Sequence, residues 1–202
     1  MTTPLRTVCV YCGASTGHDP VYAEVAAALG REMAQQKLAL VYGGGHVGLM
    51  GIIADAVLDA GGEVTGVIPQ ALMDAEIGHE RLTRLLVVKN MHERKALMAE
   101  RADGFIAMPG GIGTLEELFE AMTWAQLGFH DKAVGLLNVN GFYNPLIEFL
   151  SRVEQEGFLR NEHRNLLIHE NNPSVLLARL RSFRMPEGVS WLSQQAARTL
   201  GP

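Results

Sequence analysis

Short runs of apolar and β-branched residues alternate with longer amphipathic stretches along most of the chain. The short runs predict strands over 6–11, 38–42, 63–68, 84–89, 104–108, 132–138 and, more weakly patterned, 165–169. The stretches between them predict helices over 20–35, 47–60, 91–101, 114–127, 145–155 and 173–183. Strands that are apolar nearly throughout must be covered on both faces. Separated by helices, they imply a parallel sheet, and so an α/β Rossmann-like, doubly wound domain with helices on both faces. Such folds bind ligands outside the carboxyl ends of their strands.

Glycines fall at those ends. Gly13 follows the first strand, Gly43-Gly44-Gly45 the second, and Gly110, Gly111 and Gly113 the fifth, each cluster leading into a helix. Residues 1–185 read as one nucleotide-binding catalytic domain. The pattern fades over 186–202, which reads as a loosely packed tail.

Composition narrows the options. The chain has 202 residues, 48% hydrophobic and 19% charged, as a folded globular protein does. With a net charge of −5 it has no global attraction for nucleic acid, so an anionic ligand must be caught locally. No apolar run approaches the ~20 residues of a membrane span. Cys9 and Cys12 are spaced C-x-x-C, but no second Cys or His pair completes a metal site, and a buried strand leading into a turn explains them. Two thiols without a leader-like segment suit the reducing cytoplasm. The expectation is no metal, no cofactor, no nucleic acid and no membrane partner.

The segment Met108-Pro109-Gly110-Gly111-Ile112-Gly113-Thr114-Leu115-Glu116-Glu117 ends a strand, turns on three glycines and opens a helix. Amides bared by glycine, together with a helix N-terminus, make an anion cradle. No lysine follows the glycines, so it is not a Walker loop. Thr114-x-x-Glu117 also fits a capping box, and spacing alone leaves Glu117 open between cap and catalyst. In Met91-His92-Glu93-Arg94-Lys95, two cations flank the buried stripe of a helix's first turn, where they oppose the helix dipole. Either they pair with acidic neighbours or they face an anion. The second reading is preferred because this turn also follows a strand end. Gly44 and Gly45 are expected to pass close to a ligand, while His46 reads as a loop residue at a helix start. Ser15 is a ligand donor or a turn residue.

These motifs resemble the Lonely Guy (LOG) family of cytokinin riboside 5′-monophosphate phosphoribohydrolases. Residues 109–117 fit PGGxGTxxE, residues 91–95 fit M-H-x-R-K, and 42–51 and 123–128 follow the same pattern. The likeness runs from about residue 6 to 158. Ala133 stands where relatives often carry Pro, and His46 occupies a variable position. The resemblance implies a homodimer with sites at the subunit interface, and release of free base and ribose 5-phosphate from a nucleoside 5′-monophosphate. It implies Arg94 and Glu117 as the catalytic pair. The substrate contacts it implies are Glu76, Met91, Lys95, the run Gly110, Gly111, Ile112, Gly113, Thr114, Leu115, and then Glu116 and Thr123. Alternatives are a general AMP or GMP nucleosidase and a non-catalytic nucleotide or molybdenum-cofactor binding protein.

Overall fold

The computed structural model describes residues 4–74 and 78–192. Seven parallel strands form one sheet in the order β4-β3-β2-β1-β5-β6-β7. They are β1 (Thr7–Tyr11), β2 (Ala39–Tyr42), β3 (Val64–Pro69), β4 (Arg84–Val88), β5 (Gly104–Ala107), β6 (Ala133–Leu137) and β7 (Leu167–Glu170). The longer helices are α1 (Val21–Gln35), α2 (Gly48–Asp59), α4 (Met91–Arg101), α5 (Ile112–Leu127), α6 (Asn144–Gln155) and α8 (Pro173–Ser182). This is the doubly wound architecture expected from the alternation of apolar runs.

Two cores follow from the two-residue period of a strand. Val8 and Val10 of β1, with Leu40 and Tyr42 of β2, pack against Leu29 and Met33 of α1, Ile53 of α2 and Leu176 of α8. Cys9, Tyr11 and Val41 face the other way, toward Met98 of α4, Leu118 and Met122 of α5 and Leu150 of α6. From β1 the chain winds outward through β2 to β4; from β5 it winds in the opposite direction. β1 and β5 are neighbours, with Tyr11 beside Ala107. Their carboxyl ends therefore mark the switch point, where the connections diverge and leave a crevice.

Two short helices, α3 (Gln70–Asp74) and α7 (Asn161–Arg164), were not legible in the sequence, being too short to carry a helical period. The start of α5 is a correction. The helix begins at Ile112, not Thr114, with Gly111 as its N-cap in an extended conformation (φ −91°, ψ −158°) and no side-chain cap. The amide of Leu115 already donates to the Gly111 carbonyl at 3.1 Å. Of the two alternatives left open by spacing, the capping box of Thr114 and Glu117 is therefore absent: Thr114 lies inside the first turn, and Glu117 is a turn further on. A box-like cap stands instead at α4. Asn90 Oδ1 accepts the Glu93 amide at 2.9 Å, and Glu93 Oε2 accepts the Lys89 amide at 2.9 Å. At the far end, Val189 packs on Ala125 and Leu166, and its carbonyl lies 2.9 Å from His163 Nε2.

Candidate active site

A cavity of about 390 Å³ lies at the switch point. Its apolar wall includes Met50, Ile68, Leu72, Met91 and Met98; Arg94 and Glu117 supply its buried charge. Gly111, Gly113 and Thr114 bring the start of α5 to the same space. A helix start carries amides without intrahelical partners and a partial positive charge. A Cβ built at Gly111 or Gly113 would meet nothing within 4 Å, so protein packing is not what keeps these positions small. Gly110 differs, since a Cβ there would strike the Thr114 hydroxyl.

Arg94 enters from the first turn of α4, which the Asn90 cap fixes. Its Nε donates to the Val67 carbonyl at 3.2 Å, its Nη1 reaches Met91 Sδ at 3.7 Å, and the same Nη1 lies 3.7 Å from Glu117 Oε1. Both charged side chains are nearly buried. Burial pushes the Glu117 carboxyl up to about 7, against the pull of Arg94; Glu116 and Glu120 add to the rise and Lys95 opposes it. A carboxyl poised near neutrality is suited to proton transfer.

Lys95, on the next position of α4, does not line the cavity. Its Nζ binds Glu116 Oε1 and, at 3.0 Å, Glu120 Oε1. Burial disfavours its charge, but these two bonds outweigh that and raise its pKa.

The other expected site residues are distributed as follows. Met91 is part-exposed at the cavity rim. Gly45 lines the cavity, as does Gly43, which belongs to the strand-end glycine cluster but not to the expected substrate contacts. Gly44 is not among the lining residues; its φ of 76° and the packing of Ile68 and Leu85 against it account for the glycine. Ser15 lies in an adjoining cavity of about 490 Å³ with Gly110, Tyr22 and Phe142; the two cavities share Ala14 and Gly111. Ile112 projects outward, 82% exposed. Leu115 turns into the core under α5. Thr123 is exposed and its hydroxyl donates to the Phe119 carbonyl at 2.6 Å. Glu76 lies outside the described residues. His46 borders a separate cavity with His79 and Asp55. Cys12 closes part of the cavity wall, but burial pushes both cysteine thiols up, away from the reactive thiolate. Among the described residues, no cluster of three His, Cys, Asp or Glu could hold a metal, and no helix is long and apolar enough to cross a membrane.

Residues 50–180 match a protein family described as "Possible lysine decarboxylase". The Arabidopsis thaliana cytokinin riboside 5′-monophosphate phosphoribohydrolase LOG5 is 48% identical over 179 residues, covering 89% of this chain and 78% of that protein. The chain belongs to the LOG family. LOG1 of the same plant, which carries the same enzyme name, is 47% identical over 195 residues, covering 94% of this chain and 92% of its own. The family's older description implies a pyridoxal enzyme, which needs a neutral lysine to form a Schiff base. Lys95, the lysine that the sequence motif puts at the site, does not line the cavity and is held charged by Glu116 and Glu120, so it does not fit that group. A molybdenum cofactor binding protein from Rippkaea orientalis superposes with a TM-score of 0.67 at 21% identity, covering 88% of this chain and 96% of that one; this is a likeness of fold alone.

Proposed function

We propose that this chain hydrolyses the N-glycosidic bond of N6-substituted adenosine 5′-monophosphates. Water adds at C1′, the C1′–N9 bond breaks, and free base and ribose 5-phosphate leave. The observation that carries this reading is the meeting of Arg94 and Glu117 in one cavity with the glycine-lined start of α5. Breaking the bond builds positive charge on the ribose. An ionised Glu117 stabilises that charge and takes a proton from the attacking water. Arg94 holds the nucleotide in line, a positioning and electrostatic role.

The amides from Gly110 to Thr114 receive the 5′-phosphate, with Ser15 donating from the adjoining cavity. Met91, Glu116 and Gly45, which line the cavity, complete the proposed substrate contacts together with Glu76, and Lys95 acts behind them by holding Glu116 and Glu120. The methionine-rich wall takes the N6 substituent; burying a prenyl chain there contributes on the order of 0.8 kcal/mol per CH2. Exposed Ile112, Met91 and Phe119 support a homodimer that covers the rim of the site. Two free, buried cysteines suit a reducing compartment, and we place the protein in the cytoplasm.

Product chromatography on AMP, N6-prenyl-AMP and adenosine tests the reading. Base is released from the monophosphates, fastest from the prenylated one, and far more slowly from the nucleoside. Equal rates on adenosine and AMP would remove the phosphate cradle from the account. Tight binding of the nucleotide without turnover would favour a carrier.

A further inference from the structure

Gly43, the first residue after β2, lies under the guanidinium of Arg94. A Cβ built at Gly43 would fall on Arg94 Nη2 and come within 3.0 Å of Cζ. The collision is with a side chain that borders the cavity and can yield only by moving into it, out of its present contacts. Arg94 is fixed on one side by the Val67 carbonyl and on another by Met91 and Glu117. Met50 Sδ, 3.4 Å from the same Cβ position, closes a further direction. Backbone geometry does not demand glycine here, because Gly43 is not among the positive-φ residues. The space above its Cα is filled by the guanidinium and nothing else that would require it.

We infer that Gly43 is a positioning residue for the glycosidic reaction: its missing side chain is the seat of the Arg94 guanidinium, and it sets the distance between Arg94 and Glu117. This rests on the hydrolase reading of the same cavity. An alanine at 43 leaves the backbone conformation permitted but pushes the guanidinium away from Val67 and Glu117. A misplacement of about 1 Å at such a site costs roughly 100-fold in rate.

The test is a double-mutant cycle on base release with Gly43→Ala, Arg94→Ala and the combination, alongside a carbon-13 NMR titration of Glu117 in each. Gly43→Ala is expected to lower kcat about 100-fold, and to add little in the Arg94→Ala background, because the two act through one contact. The groups facing Glu117 are Arg94 and Lys95 from α4, Glu116 and Glu120 from α5, and Tyr11, Cys9 and Cys12 from β1 and its end. Of these, Gly43→Ala displaces Arg94 alone, so Glu117 should titrate at higher pH, as in Arg94→Ala. Losses that multiply in the double variant, or a Glu117 titration unmoved by Gly43→Ala, would overturn the inference. The titration reads the geometry without turnover. If the wild-type protein releases no base, the hydrolase reading fails while the role of Gly43 is still decided.

Discussion

Arg94 Nη1 lies 3.7 Å from Glu117 Oε1, and each side chain is close to nine-tenths buried. That pair joins the first turn of α4 to the second turn of α5 across the ends of β1 and β5. At 3.7 Å it is an ion pair without a short hydrogen bond, and desolvation of Glu117 outweighs it. The carboxyl is thus left near the point of gaining or losing a proton.

This balance sets the pH dependence of the reaction. Glu117 must be ionised to act on water, and its carboxyl is raised to about 7. The rate constant kcat/KM should climb with pH and level off above about 7, with a single ionisation on the acid side. A profile already flat from pH 5 upward would mean that no raised carboxyl controls the step.

The same shift makes a prediction about stability. Between the ordinary carboxyl value of 4.5 and about 7, the folded protein holds a proton at Glu117 that the unfolded chain has released. Stability therefore falls as pH rises through that window. Glu117→Gln keeps the neutral form at every pH. It should be about as stable as the wild type at pH 4.5 and up to about 3 kcal/mol more stable at pH 8, read by urea denaturation. A difference independent of pH would contradict the raised carboxyl.

Asn90 holds the turn from which Arg94 projects. Removing its cap in Asn90→Ala should cost about 1 kcal/mol of stability. It should also lower kcat by more than the lost folded fraction explains, because the anchored end of α4 loosens. Denaturation and steady-state kinetics on the same preparation separate the two effects.

Gly111 tests the anion cradle. A methyl group there has no packing partner within 4 Å, so Gly111→Ala should cost no more than the helix N-cap preference for glycine over alanine, about 1 kcal/mol. It should nonetheless raise KM for nucleoside monophosphates. An unchanged KM would place the phosphate elsewhere.

The strands were legible because each is a short apolar run ended by glycine or a polar break. The sheet order then put the signature residues at one crevice. The start of α5 differs from the sequence expectation because Thr114-x-x-Glu117 has capping spacing, while Gly111, extended and without a side chain, ends the turn earlier. The cap at Asn90 and Glu93 carries an equally plain spacing, visible once the start of α4 is fixed. Long-range partners were out of reach. Arg94 bonds a backbone carbonyl at Val67, which no side-chain pattern reports, and Lys95 meets Glu116 and Glu120 only because β1 and β5 bring α4 beside α5. Arg94 and Lys95 are equivalent in the sequence, two cations on one helical turn, yet the structure turns one into the cavity and the other onto a carboxylate pair.

The central claim is that Glu117, held beside Arg94, performs the cleavage. Its most direct measurement is chromatography of the products formed from N6-prenyl-AMP by the wild-type protein and by Glu117→Gln. Free base and ribose 5-phosphate should appear in equal amounts with the first and fall by at least about 100-fold with the second, the folded protein remaining intact. Undiminished base release by Glu117→Gln would contradict the account.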